Sequence, residues 1–188
     1  MNTVRYRSAA SLALALLLAA AAPDAPPEPA GYRMDDYRAP TPATLLGARV
    51  LSTSEAHAHW EKHDAAFIDV LPQAPRPTGL PASTIWRDKP REDIPGSVWL
   101  PDTGYGALAP AMEHYFAEGL TQATGGNHDH MLVFYCLANC WMSWNAAKRA
   151  MTLGYTDVAW YRDGTDGWTA KGFPTEERQP VTRPSETE

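Results

Sequence analysis

The stretch MLVFYCLANCWMSW, residues 131–144, is the most informative part of the chain for its fold. It opens with an unbroken apolar and aromatic run, which predicts a strand covered on both faces, as in a parallel sheet. From Ser143 onward, apolar residues recur at helical spacing until Gly154. The order of strand, tight loop and helix predicts that Cys136 lies at the carboxyl end of a strand, near the start of a helix.

Segments on both sides continue an alternation of strands and helices. Ser52 and Glu55 have the spacing of a capping box and predict a short helix from about Thr53 to His63. Pro110 stands near the start of a second helical pattern, where its missing N–H costs little. The apolar segments AAFIDVL, SVWLP and VAWY are expected to be strands, and DGTDGW a turn. This alternation indicates crossover units, so we predict an α/β fold with a mostly parallel sheet.

Length and composition indicate a single domain. The chain has 188 residues, of which 44% are apolar and 20% charged, enough for one hydrophobic core. Lys and Arg number 16 against 22 Asp and Glu, a net charge of −6. This balance argues against a nucleic-acid partner, because phosphate binding needs clustered basic residues. With only two cysteines, a small disulfide-rich scaffold is excluded.

The amino-terminal residues have the pattern of an export signal. Arg5 and Arg7 precede a run of Ala and Leu that is too short to span a bilayer and ends in small residues suited to cleavage. We therefore expect a signal peptide over residues 1–22, a periplasmic location and no membrane span in the mature form; an uncleaved anchor is the alternative. The periplasm is oxidising, so paired cysteines can persist there as a disulfide.

Composition also sets the other boundaries. Residues 23–44 are Pro-rich, which predicts an extended linker or a segment draped over the domain. The domain is expected over residues 45–176, with a polar, frayed tail over residues 177–188.

Cys136 is the candidate nucleophile. Free backbone N–H groups and the helix dipole at such a position would lower the pKa of its thiol and favour the reactive thiolate. The alternative is a buried structural cysteine. Cys140 follows four positions later, a spacing that allows the Cα separation of a disulfide. A thiol there would also attack a persulfide on Cys136; a permanent structural disulfide is the alternative.

Four segments together resemble the rhodanese-like domains: FIDV with its Asp69, DIPGSVWLP, FYC, and GYTDVAWYRDGTDGWTAKGFP. The resemblance implies a single domain with a five-stranded parallel sheet flanked by helices. It also implies that Cys136 accepts a sulfane sulfur from a small sulfur donor or thiol, becomes a persulfide and passes the sulfur on. No cofactor and no metal are expected.

The cysteine pair followed by Trp141 is also similar to a narrower group, exported rhodanese-like proteins with a C-x-x-C-W motif. That group is associated with alcohol catabolism dependent on pyrroloquinoline quinone, which would make a periplasmic dehydrogenase or cytochrome a possible partner. Here three residues separate the cysteines rather than two.

The residues around the cysteine pair are candidates for substrate binding: Leu137, Ala138, Asn139, Trp141, Met142 and Ser143. None is a cation, whereas charge-assisted bonds from Arg are the strong way to bind a dianion. We therefore predict slow transfer of sulfur from thiosulfate to cyanide, faster when Trp141 becomes Arg and absent when Cys136 becomes Ser. Trp144 is expected in the core, and Trp141 either in the core or at an apolar rim of the site.

An insertion over residues 72–93 carries four basic residues, Arg76, Arg87, Lys89 and Arg91. These side chains could fold over the site and replace the missing cation, but a solvated basic loop is the expectation. His128 and His130 precede the Cys136 strand and are expected in a solvated turn at the opposite edge of the sheet.

Two other classes of function stay open. The Cys136 and Cys140 thiols could handle copper or exchange disulfides, since soft thiolates suit Cu(I). Alternatively, the domain could be a non-enzymatic module that binds a partner protein.

Overall fold

A five-stranded parallel sheet forms the centre of the computed structural model, which describes residues 25–74, 77–81, 83–85 and 90–183. The predicted signal peptide lies outside the described residues. Its strands are β1 (Arg49–Leu51), β2 (Ala65–Asp69), β4 (Val98–Trp99), β5 (Met131–Tyr135) and β6 (Val158–Tyr161). Their order in the sheet is β1-β6-β5-β2-β4, and every pairing is parallel. The predicted fold class is therefore confirmed, with β5 as the middle strand.

Among the described residues, four helices cover the sheet: α1 (Thr53–Lys62), α2 (Pro110–Thr124), α3 (Trp141–Thr152) and α4 (Gly164–Ala170). The capping box of α1 is present, since the Ser52 hydroxyl accepts from the Glu55 N–H while the Glu55 carboxylate accepts from the Ser52 N–H. Pro110 opens α2 as predicted. The segment DGTDGW, expected to be a turn, instead contains the start of α4.

Each face of the sheet has its own hydrophobic core. Side chains of α2 and α3, including Phe116 and Trp144, pack on one face with Phe134 and Trp160. Residues of α1 and α4, including Ala56 and Trp168, pack on the other face with Tyr135 and Tyr161. Because strand side chains alternate between faces, Cys136 belongs to the same face as Phe134 and α3.

A second, two-stranded sheet joins the end of the insertion to the end of the domain. Strand β3 (Arg91–Asp93) pairs antiparallel with β7 (Glu176–Arg178). The prediction of a frayed tail is wrong for its described residues, 177–183, which are attached to the domain. The Val181 N–H donates to the Trp99 carbonyl at 3.0 Å, and the Val181 carbonyl accepts from the Tyr115 hydroxyl at 2.8 Å.

The Pro-rich segment is draped over the domain rather than extended away from it. We call its described part, residues 25–44, the strap. Three side chains of α3 donate to strap carbonyls: Trp144 Nε1 to Thr44 at 3.2 Å, Asn145 Nδ2 to Arg33 at 2.9 Å, and Lys148 Nζ to Ala30 at 2.9 Å. With the strap in place, α3 is buried along most of its length.

Within the described ranges, no helix is both long and apolar enough to cross a bilayer.

Candidate functional site

The two cysteines lie at the carboxyl edge of the central sheet and are joined by a disulfide. Cys136 directly follows β5, Cys140 is the N-cap of α3, and their Cα atoms are 6.4 Å apart. Both are buried, with 0% and 1% of their surface exposed. The predicted bridge is therefore confirmed.

The loop between β5 and α3 is shorter than expected because α3 begins at Trp141 instead of Ser143. Asn139 turns the chain with a φ of +53°, in the left-handed region that Asn tolerates better than most residues. Of the six residues predicted to bind substrate, only Leu137, Ala138 and Asn139 are partly or fully exposed. Met142 and Ser143 are buried residues in the first turn of α3.

Two backbone amides of this loop and helix start are already hydrogen-bonded within the chain. The Trp141 N–H donates to the Tyr37 carbonyl of the strap at 2.9 Å. The Ala138 N–H donates to the Asp166 carboxylate at 3.0 Å. The expectation of free N–H groups around the sulfur atoms is wrong for these two positions, because segments distant in sequence supply acceptors.

Trp141 is part of the covered interior rather than an exposed rim. It is 2% exposed, its indole Nε1 donates to the Pro40 carbonyl at 3.1 Å, and the Arg33 guanidinium lies 5.2 Å from its ring centroid. Replacing Trp141 with Arg would remove these contacts as well as add a cation. Trp144 is fully buried, as predicted.

A buried ion pair supports the loop from the opposite face of the sheet. Arg91 Nε donates to the Asp69 carboxylate at 2.6 Å, with 12% and 0% of the two side chains exposed. The same guanidinium donates to Thr165 Oγ1 at 3.2 Å, and the Thr165 N–H donates to the Cys136 carbonyl at 3.0 Å. The expectation of a solvated Arg91 is therefore wrong. Arg76, Arg87 and Lys89 lie outside the described residues.

Comparison with known families agrees with this arrangement. The profile of the rhodanese-like domain matches residues 52–171, well over half of the chain. This protein belongs to the rhodanese-like domain family. No curated protein matches the chain.

Several solved structures are similar to this rhodanese-like domain. An uncharacterized protein from Saccharomyces cerevisiae is 22% identical over 66% of this chain and 93% of its own, with a TM-score of 0.41. A polysulfide-sulfur transferase from Wolinella succinogenes is 18% identical over 71% of this chain and 82% of its own, with a TM-score of 0.45. A thiosulfate sulfurtransferase from Pseudomonas aeruginosa is 17% identical over 74% of this chain and 22% of its own, with a TM-score of 0.48.

Sequence reasoning missed a cation of this rhodanese-like domain, Arg162. The register of β5 and β6 pairs Phe134 with Trp160, and Cys136 and Arg162 each follow two residues later, just beyond the ends of these neighbouring strands. The Arg162 guanidinium donates to the strap carbonyl of Thr41 at 3.5 Å and lies 5.9 Å from the Trp160 ring centroid. The sequence does show an Arg directly after the strand VAWY. Only the sheet order, in which β6 lies next to β5, brings the end of that strand close to the end of the strand before Cys136.

The histidines lie away from the cysteine pair. His128 precedes β5 at the opposite edge of the sheet and stacks on Tyr155, with ring centroids 4.4 Å apart. His57 stacks on Phe173 with centroids 3.7 Å apart. In the described part of this rhodanese-like domain, no group of three or more His, Cys, Asp or Glu residues could hold a metal ion.

Proposed function

We propose that the protein handles sulfane sulfur at Cys136, with Cys140 as the resolving thiol. The observation that carries the proposal is the bond between these two residues. It joins the end of the middle strand to the start of α3, the position of the nucleophile that the family resemblance implies. A disulfide there is the product expected when a second thiol attacks a persulfide.

The reaction begins with the reduced pair. The Cys136 thiolate attacks the outer sulfur of an organic persulfide, the S–S bond of the donor breaks, and the donor leaves as a thiolate. Cys136 then carries the persulfide. The Cys140 thiolate attacks Cys136 Sγ, the new S–S bond forms, and hydrosulfide leaves. The donor sulfur is thereby reduced to sulfide while the protein pair is oxidised, and a thiol reductant restores the dithiol.

Transfer to an acceptor thiol is the competing fate of the persulfide. An external thiolate that attacks the outer sulfur before Cys140 reacts would carry the sulfur away and leave Cys136 as a thiolate. Cys140 thus determines whether sulfur is released as sulfide or passed on. The burial of both cysteines favours the intramolecular reaction, because Cys140 already lies beside Cys136 whereas an acceptor must enter from solvent.

The cellular setting is part of the same proposal. The export pattern of residues 1–22 supports a periplasmic location, where a disulfide is stable. The order Cys136, Cys140, Trp141 supports a relationship to the exported C-x-x-C-W proteins, despite the extra residue between the cysteines. On that basis the protein would act beside alcohol oxidation dependent on pyrroloquinoline quinone, with a dehydrogenase or cytochrome as partner.

The test is trapping of the persulfide. We expect reduced Cys140→Ser protein treated with an organic persulfide to gain the mass of one sulfur atom at Cys136. The wild type should instead release sulfide and form the disulfide, and Cys136→Ser should do neither.

Cys136→Ser is the matched control, because it retains the other cysteine. A sulfur adduct on Cys140 in that variant would reverse the two roles. An unmodified Cys140→Ser protein would overturn sulfur handling and leave the thiol–disulfide or copper alternatives.

A further inference from the structure

We infer that Asp166 selects against anionic sulfur substrates, so that the substrates of the cysteine pair are small thiols and persulfides that are uncharged or cationic. The inference rests on the proposed function and deepens it, because it concerns the substrate of the same site. Its basis is the contact between a carboxylate and the loop that joins the two reacting cysteines.

Asp166 is held against this loop by the first residues of α4. Leu137 and Gly164 form an antiparallel bridge, and the Thr165 N–H donates to the Cys136 carbonyl at 3.0 Å. Gly164 has a φ of +54°, and a Cβ at this position would lie 2.3 Å from the Cys136 carbonyl oxygen. Only glycine therefore permits this close approach, which brings Asp166 to the Ala138 amide.

The Asp166 carboxylate occupies the donor that an anionic substrate would use. Its Oδ2 accepts from the Ala138 N–H at 3.0 Å, and the residue is exposed to solvent. The Trp141 N–H, a second donor beside the cysteines, is taken by the neutral Tyr37 carbonyl. An approaching anion therefore meets a negative charge where a free amide would have attracted it.

The cations near the site differ in their availability. Arg91 is paired with Asp69, and Arg33 is 3.4 Å from Asp35. In the described part of the chain, Arg162 contacts the neutral Thr41 carbonyl rather than a carboxylate. Removal of the Arg162 charge should therefore act in the opposite direction to removal of the Asp166 charge.

The experiment compares how fast three thiols of similar size reduce the protein disulfide at low ionic strength. The thiols are 2-aminoethanethiol, 2-mercaptoethanol and 2-mercaptoethanesulfonate, compared at equal thiolate concentration. Each rate is divided by that of the neutral thiol, so that any opening of the strap, common to all three, cancels. We expect the wild type to prefer the cationic thiol and to disfavour the anionic one.

Asp166→Asn is the informative variant, because the Asn oxygen still accepts from the Ala138 amide while the charge is lost. We expect it to raise the anionic-to-neutral rate ratio by about three- to tenfold, the size of a unit-charge interaction at a few ångströms near a wet surface. The change should shrink in high salt. Arg162→Gln should lower the same ratio.

Asp129→Asn is the matched control, since Asp129 lies in the turn before β5 at the opposite edge of the sheet. An Asp166→Asn ratio equal to that of the wild type, or an equal rise in Asp129→Asn, would overturn the inference. The assay contains no sulfane sulfur, so a failure of persulfide trapping would overturn the proposed function and leave this result standing.

Discussion

Asp93 is a buried carboxylic acid close to Asp69, and the nearby cation Arg91 is already paired with Asp69. It is fully buried, and its Oδ1 accepts from the Ile94 N–H at 2.8 Å and from the Tyr135 hydroxyl at 2.5 Å. Arg91 is committed to Asp69. Burial first, and then the neighbouring Asp69 charge, raise the pKa of Asp93 to about 7. The folded protein therefore retains a proton at Asp93 that the unfolded chain releases.

This proton gives stability a definite pH dependence. Between the ordinary Asp pKa of 3.8 and the raised value of about 7, the folded state binds more protons than the unfolded state, so stability falls as pH rises. We expect the free energy of unfolding of the wild type, relative to Asp93→Asn, to decline from pH 4 to 7 and to level off above it. Urea denaturation of both proteins across this range measures the difference. A constant difference would show that Asp93 is ionised throughout.

At the level of elements, the strap is hydrogen-bonded along α3 and reaches the start of this helix, where the Tyr37 carbonyl accepts from the Trp141 N–H. The Lys148 ammonium lies 2.9 to 3.3 Å from three strap carbonyls and 4.7 Å from the Trp144 ring centroid. Lys148 is two turns along α3 from the cysteines, so it anchors the strap without touching the reacting atoms.

We expect Lys148→Ala to speed reduction of the disulfide by a neutral thiol. Losing this anchor should cost about 1 kcal/mol, which makes strap opening roughly fivefold more frequent. The rate of disulfide reduction by 2-mercaptoethanol measures the effect, and Lys171→Ala, on exposed surface beyond α4, is the matched control. An unchanged rate in Lys148→Ala would mean that thiols reach the disulfide without displacing the strap.

Periodic elements of this fold could be predicted from the sequence, whereas contacts between distant segments could not. The strand MLVFY is marked by its unbroken apolar run and the start of α1 by its capping box, and both patterns involve only residues close together in sequence. Strands β3 and β7 are short and charged, RED and EER, so no alternation marks them. The start of α4 contains glycines and aspartates typical of turns. The cysteine pair was predictable from spacing, but its coverage by Tyr37 and Asp166 depends on tertiary packing.

For the whole molecule, the disulfide contributes only part of the stability of the fold. It closes a loop with a sequence separation of 4, and constraining so short a loop in the unfolded chain is worth about 2 kcal/mol. Both cores and the sheet are formed by other residues. The protein can therefore pass between oxidised and reduced forms without unfolding, as the proposed cycle requires.

We expect reduction to lower the melting temperature by about 4–8 °C while the protein stays folded at 25 °C. Calorimetry with and without a reductant tests this, and a double Cys136→Ser, Cys140→Ser variant should melt near the reduced wild type. Loss of near-ultraviolet dichroism on reduction at 25 °C would contradict the expectation.

The contacts between strap and α3 also impose an order of events during folding. Thr44 and Trp144 are 100 residues apart, and Pro29 and Lys148 are 119 apart. Contacts between segments so far apart in sequence close late in folding because of their entropic cost. Until then the cysteine pair is open to an oxidant. The folding domain thus has an interval in which its disulfide can form before the strap closes.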